Sequence, residues 1–345
     1  MTPGSATAQA RSRFRFAGLL ENETLKLLRR RRPQLVAIVL TLFLAISVWA
    51  QHQREQMRRQ NQGTAGETDW RAQVERRIQD AERRGRQRRI FVAFTRMQQF
   101  EAARLRYHLE RDINPNQQTG PLYSRGFAAL ASTLLLPLLV TVLCADLVSS
   151  ESSAGTIKML LTRPVPRWKV LLSKYVVMAG FATLLVAAAA ILSWLIAGFA
   201  LGWRGFSAPM LSGFRFGEGG VDLSNVRASP LWLDTLAAWG LAWYSAIVVG
   251  VIATTFSVIF KSTAGAMGTL IAVLAAGMLL GQMAEDWWLA KWIFVTNLPL
   301  PQFYSGVPPP VTGMTLGHSV GVLTAWAAGA LGFGTWWFSR RDVTA

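Results

Sequence analysis

The chain has 345 residues, of which 51% are apolar and only 16% charged, and its mean hydropathy is +0.27. A soluble domain carries about 25% charged residues, so this composition excludes an ordinary soluble enzyme, and equally a disordered or collagen-like chain. The formal charge of +17 flanks long apolar stretches, which makes the anionic membrane surface the expected partner and argues against nucleic acid.

These features predict an all-α polytopic membrane protein. A helix crossing about 30 Å of hydrocarbon needs about 20 apolar residues. A tail (1–15) precedes an amphipathic segment, 16–32, with Phe16, Leu19, Leu20, Leu27 and Leu28 set against Glu21, Asn22, Lys26 and Arg29. Span 1 covers 33–50. Residues 51–126 are too patterned for a linker: Trp70, Val74, Ile78 and Ala81, then Ile90, Phe94, Met97, Leu105 and Leu109, recur at helical spacing. They predict a two-helix lobe laced by pairs such as Glu75 with Arg71 and Glu82 with Arg86. Span 2 (127–148) contains Pro137, a kink or a packed proline, and ends near Asp146. It also holds the lone cysteine, Cys144, which excludes an intrachain disulfide and reads as a buried thiol. A loop (149–169) leads to span 3 (170–203), with Lys174 near its start. Both Asp146 and Lys174 are expected to reach water by snorkelling. A glycine- and aromatic-rich loop (204–234) precedes spans 4 (235–260) and 5 (262–284). The next loop (285–318) opens on an interfacial belt, Trp287, Trp288 and Trp292 around Lys291. Its Pro299, Pro301 and Pro308 to Pro310 are expected to forbid regular helix. Span 6 (319–338) and a short tail (339–345) complete the chain.

Six spans place both termini on one side. That side carries 16 basic residues, including four consecutive arginines, Arg29 to Arg32, before span 1. Outside the long lobe, the other side carries only Arg204, Arg215, Arg227 and Lys291. Long loops cross largely regardless of charge, so both termini are expected to be cytoplasmic and the lobe extracytoplasmic.

The sequence lacks a phosphate-binding G-x-x-x-x-G-K-[ST] loop and any His/Cys spacing suited to a metal. Midspan ionisable residues, which ion-coupled transport requires, are almost absent. Catalytic, cofactor and metal residues are therefore predicted to be none, and any energy must come from another polypeptide.

The loop SSESSAGTIKMLLTRPVPRWKVLLSK (149–174) is the most informative segment. Ile157, Leu160 and Leu161 form a small apolar helical face, Glu151, Lys158 and Arg163 offer charges that can fix register, and Pro164 and Pro166 end the helix. Glu151, Gly155-Thr156-Ile157-Lys158, Leu160-Leu161-Thr162-Arg163-Pro164-Val165 and Arg167-Trp168-Lys169 together resemble the first intracellular loop of type-2 ABC transporter permeases. The segment Glu23 to Arg32, Asp69-Trp70-Arg71, Tyr107 with Asp112-Ile113-Asn114-Pro115, and Ala145-Asp146-Leu147-Val148-Ser149 resemble a bacterial subgroup with a helical extracytoplasmic insert.

The resemblance covers essentially the whole chain and implies a role. Two permease subunits, identical or paralogous, would pair in the bacterial inner membrane above two cytoplasmic ATPase subunits that hold ATP and Mg. Glu151, Gly155, Thr156, Ile157, Lys158, Leu160, Leu161, Arg163, Pro164 and Arg167 would form the coupling loop. Leu20, Glu23, Lys26 and Leu27 would belong to the connecting helix. The implied function is the membrane subunit of an ATP-driven exporter, not itself an enzyme. Alternatives are a mechanotransmission or sensing complex that acts through the lobe without moving solute, and a plain membrane anchor.

Overall fold

Six helices among the described residues are long and apolar enough to cross a bilayer: Arg31–Met57, Gly120–Ser153, Arg167–Leu201, Leu231–Ile259, Thr263–Gly281 and Leu316–Arg340. The structure, a computed structural model, describes residues 4–61, 70–87, 92–115, 119–153, 166–217, 220–222, 224, 226–283, 287–309, 311 and 313–340. The chain is an all-α polytopic membrane protein, as its composition requires.

Helix α1 (Gly4–Arg29) breaks from α2 (Arg31–Asn61) within the arginine run, where Arg30 N–H donates to the Leu27 carbonyl at 3.1 Å. Leu27 is buried and Leu20 packs on the core, whereas Leu28 is exposed, so the apolar face of α1 is narrower than its sequence suggests. On α2, Leu35, Ile38, Leu42 and Ile46 stay exposed and face hydrocarbon in a bilayer.

The lobe is the predicted helical hairpin. Helix α3 (Trp70–Gln87) and helix α4 (Val92–Glu110) bury Val74, Ile78 and Ala81 against Ala102 and Leu105, flanked by Trp70 and Leu109. Met97 is exposed, and Ile90 lies outside the described residues. Ion pairs cross the hairpin: Arg77 meets Glu101 at 2.8 Å and Glu82 meets Arg106. Arg71 meets Asp112, just past α4, at 2.5 Å. These pairs are solvent-exposed, so they fix register more than they stabilise.

The second span starts at Gly120, earlier than its apolar run. Thr119 caps it, its Oγ1 accepting from Leu122 N–H, and Pro121 occupies the first turn, where its missing N–H costs nothing. Helix α5 (Gly120–Leu130) passes through a π-helical turn, Ala131–Leu135, into α6 (Leu136–Cys144). The π turn lies just before Pro137, so the proline is accommodated by a local change of winding. Gln302 Nε2 donates to Thr133 Oγ1 at 3.1 Å and reaches the Ala129 carbonyl at 3.4 Å, supplying polar contacts beside the irregular turn. Short helix α7 (Ser149–Ser153) ends the span, and α8 (Arg167–Leu201) returns.

The loop after α8 is not irregular throughout. Strand β1 (Pro209–Ser212) pairs antiparallel with β4 (Arg227–Pro230), and β2 (Arg215–Gly217) with β3 (Gly220–Asp222). Helix α9 (Leu231–Ile259) then begins four residues before the apolar run suggests. It is the hub of the bundle, packing on α5, α6, α8 and both later spans, α10 (Thr263–Met283) and α13 (Leu316–Arg340). Ala238, Ala242, Ala246, Gly250 and Ala253 supply small buried residues at helical spacing, which lets neighbouring backbones approach.

The proline-bearing loop departs furthest from expectation. After a 3-10 turn, Trp288–Trp292, it forms α11 (Phe294–Asn297) and α12 (Leu300–Tyr304). Pro301 sits in the first turn of α12, where proline is tolerated, so the prolines do not forbid helix here. The segment also dips into the bundle. The Leu298 carbonyl accepts from Ser245 Oγ at 2.8 Å, about 20 Å along α9 from its start at 1.5 Å rise per residue. Irregular backbone survives there because side chains satisfy it: Asn297 Nδ2 donates to the Lys291 and Ile293 carbonyls at 2.8 Å each.

Gly250 marks a close crossing of α9 with α6 and α8. A Cβ there would overlap Met178 Sδ and lie 3.3 Å from Val140 Cγ1. Gly250→Val is expected to destabilise the bundle by about 1–3 kcal/mol through overpacking, read as a lower thermal midpoint in detergent; an unchanged midpoint would refute this packing.

Candidate functional site

Four charged side chains from three separate segments meet at the end of the bundle where α1, α7 and the start of α8 converge. Glu23 comes from α1, three residues before Lys26, so both face the same side of the helix. Glu151 comes from α7 and Lys174 from the second turn of α8. Lys174 Nζ lies 2.7 Å from Glu23 Oε2 and 2.9 Å from Glu151 Oε2. Lys26 Nζ lies 2.8 Å from Glu151 Oε1 and 3.0 Å from Glu23 Oε1. The four groups therefore form a closed ring of alternating charge with no net charge.

The ring is largely removed from water. Lys174 is 1% exposed, Glu23 3% and Glu151 7%, and only Lys26 reaches the surface. Burying one isolated charge costs several kcal/mol, and alternation offsets that cost only while all members are present. The third donor of Lys174 goes to the Leu147 carbonyl at 2.9 Å, so the ammonium is fully satisfied. Burial alone lowers the Lys26 amine, but its bonds to Glu151 and Glu23 outweigh that and raise it above the ordinary lysine range. Asp146 and Lys174 do not snorkel, contrary to expectation. Each lies about 1% exposed, because Glu23 and Glu151 partner Lys174, and Arg30 and Arg32 partner Asp146, which makes the excursion to water unnecessary.

A second cluster lies beside the ring. Asp146 Oδ2 forms an ion pair with Arg32 at 2.8 Å and accepts from Arg30, while Arg30 Nη2 donates to Ser150 Oγ at 3.0 Å. The arginine run thus grips the root of the 149–169 loop directly. From the other side, Ser257 Oγ of α9 accepts from the Val148 and Ser149 N–H groups at 2.9 Å each. The loop root is held by α1, α2, α8 and α9 together.

Of the sequence-predicted residues, Glu23, Lys26 and Glu151 meet directly. Leu27 is buried in the core and Leu20 packs against it. Arg167 is elsewhere, donating to the Ser339 carbonyl at 3.2 Å near the end of α13. Gly155, Thr156, Ile157, Lys158, Leu160, Leu161, Arg163 and Pro164 lie outside the described residues. Sequence reasoning missed the roles of Lys174, Asp146, Arg30 and Arg32. The available signal was a lone lysine and a lone aspartate, each inside an otherwise charge-free apolar run.

The opposite end of the bundle holds a further buried pair. Arg125 Nε donates to Asp234 Oδ2 at 2.7 Å, and Arg125 also donates to Ser305 Oγ. It ties α5, α9 and the end of the re-entrant segment. Arg125 falls in the segment that the sequence assigns to the helical lobe, and Asp234 in one that it assigns to a loop.

Removing one member of the ring leaves its neighbours charged and buried. Lys174→Met is expected to cost about 3–5 kcal/mol, lowering the yield of folded protein. Exchanging charges, with Glu151→Lys and Lys174→Glu together, should recover part of the loss. Equal stability of Lys174→Met and wild type would show that the ring contributes nothing.

Comparison with known proteins gives the family. Residues 91–344 match the family described as "Protein of unknown function (DUF2705)". The chain is 30% identical over 213 residues to "Uncharacterized membrane protein YdbK" of Bacillus subtilis (strain 168), covering 61% of this chain and 78% of that protein. It is 29% identical over 241 residues to "Uncharacterized protein YhcI" of the same organism, covering 69% of this chain and 74% of that one. With six spanning helices and a match over most of its length, the chain is a multi-pass membrane protein of the DUF2705 family.

Proposed function

We propose that this chain is the permease subunit of an ATP-driven ABC exporter in a bacterial inner membrane, with the lobe outside and both termini in the cytoplasm. The observation that carries the reading is the closed ring of Glu23, Lys26, Glu151 and Lys174. Glu151 stands at the head of the loop whose sequence resembles a coupling loop. Two segments in addition to α7 are bonded to it or to its partners: α1, the connecting helix of this reading, and α8, the third span. A push on the loop therefore cannot move α7 alone. It is passed to α1 and α8 as one body, and α8 packs on α5 and α9.

In this reading the chain performs no chemistry. ATP and Mg reside on two partner ATPase subunits, and closure of those subunits supplies the force. A second permease, identical or paralogous, completes the assembly. The exposed apolar faces of α2 and α13 suit burial against lipid or against that second copy. The mechanotransmission alternative is favoured by one observation. Phe100 and Tyr107 of α4 pack edge-on against Phe214 of the β-ribbon loop, so the lobe is joined to the bundle rather than tethered loosely.

Two experiments test the reading. Leu160→Asp, in the loop whose sequence resembles a coupling loop, should abolish co-purification of the cognate ATPase while membrane insertion is unchanged; full retention of the ATPase would contradict the coupling role. Gly63→Cys should react with a membrane-impermeant thiol reagent on intact cells, with buried Cys144 silent; reaction only after lysis would reverse the orientation.

A further inference from the structure

We propose that a cleft at the lobe end of the bundle, between the β1–β4 ribbon and the end of the re-entrant segment, binds a single-chain anionic amphiphile: a phosphate- or carboxylate-bearing head on an apolar tail. The cleft encloses about 680 Å³. That lies within the roughly 300–1,000 Å³ of small-molecule sites.

The lining divides by chemistry. Arg227, Ser212 and Tyr304 offer a cation and two hydroxyls, whereas Phe214, Phe303 and Leu316 offer apolar surface. Ser212 and Arg227 are direct cross-strand partners in the ribbon. Directly opposed residues project to the same face of a sheet, so the hydroxyl and the guanidinium are presented side by side on paired backbone. Among the described residues Arg227 has no acidic partner, so an incoming anion would be its counter-charge. A guanidinium beside a hydroxyl suits the several acceptor oxygens of a phosphate or carboxylate. The aromatic and aliphatic surface next to it would be wasted on a bare anion, and this selects a ligand with a tail.

The walls are fixed before any ligand arrives. Phe214 is held edge-on by Phe100 at 5.7 Å and by Tyr107 at 5.9 Å, both from α4. Gly306, at φ +78°, packs so tightly on Phe214 that a Cβ would overlap its carbonyl oxygen. Ser305, between Tyr304 and Gly306, is the residue gripped by Arg125, which pairs with Asp234 at 2.7 Å. Such preorganisation reduces the entropy lost on binding. It also means that a ligand touching Tyr304 or Gly306 bears on α5 and α9 through Ser305. The cleft rests on this geometry and not on the exporter reading, and its test needs no ATPase.

The experiment presents the full chain, in phosphatidylcholine nanodiscs, with two fluorescent probes of identical tail: lysophosphatidic acid and zwitterionic lysophosphatidylcholine. The anionic probe should bind about tenfold tighter, one charge-assisted contact's worth, and Arg227→Gln should erase that preference while leaving the zwitterionic probe unaffected. Gly317→Phe should weaken both probes by filling the cleft; a Cβ at Gly317 meets nothing within 4 Å, so the variant is expected to fold. Equal affinities on the wild type, or a preference that survives Arg227→Gln, would overturn the proposal. So would displacement of the probe by an equal concentration of inorganic phosphate, since the tail would then count for nothing. Phosphatidylglycerol added to the disc distinguishes the sources. Failure to compete assigns the ligand to a single-chain amphiphile from solution, and competition by this two-chain lipid would overturn the single-chain assignment.

Discussion

The organisation of this protein depends on a charge ring that closes only when three distant parts of the chain are in place. Glu23, Lys26, Glu151 and Lys174 are separated by up to 151 residues, yet each ion contact is 3.0 Å or shorter. In a low-dielectric setting such a ring favours completeness, because losing one member leaves its two neighbours sharing a single counter-charge. A purely apolar joint would permit sliding. The ring permits one register, and that is the property a force-transmitting joint requires.

The rest of the bundle follows a different logic. Lipid provides no hydrophobic drive between spans, so contact must come from close packing. Helix α9 supplies it through Ala238, Ala242, Ala246 and Gly250, and the larger residues of α5, α6 and α8 close around it. Polar side chains are spent where backbone is irregular. Gln302 reaches the π turn near Pro137, and Asn297 and Thr296 satisfy carbonyls of the re-entrant segment. The two ends of the molecule thus differ in kind: one is locked by the ring and the Asp146 cluster, the other shaped by ribbons, an ion pair and a cleft.

Much of this was legible in the sequence, for physical reasons that differ by element. The six spans follow from run length and apolarity. The lobe hairpin follows from the spacing of Trp70, Val74, Ile78 and Ala81, because burial on one face is a local property. What escaped was set by partners far away in the chain. Lys174 read as a snorkelling lysine because nothing nearby in sequence announces Glu23. Arg125 read as part of the lobe and Asp234 as a loop residue, because their pairing brings polar helical turns into the bundle ahead of the apolar runs. The prolines after Leu298 read as helix breakers, although Pro301 falls at a first turn, where proline is compatible with helix. Cross-strand pairing of Ser212 with Arg227, 15 positions apart, leaves no periodicity to detect.

A closed ring requires α1, the root of the 149–169 loop and the start of α8 to move as one body. Spin labels at Leu25→Cys and Leu172→Cys, both at exposed positions flanking the ring, report on that body directly. A second pair, Leu172→Cys with Lys261→Cys, reports across the bundle. In a complex with the proposed ATPase partner, nucleotide trapping should leave the first distance unchanged and shift the second. A first distance that changes or broadens on trapping would contradict the account.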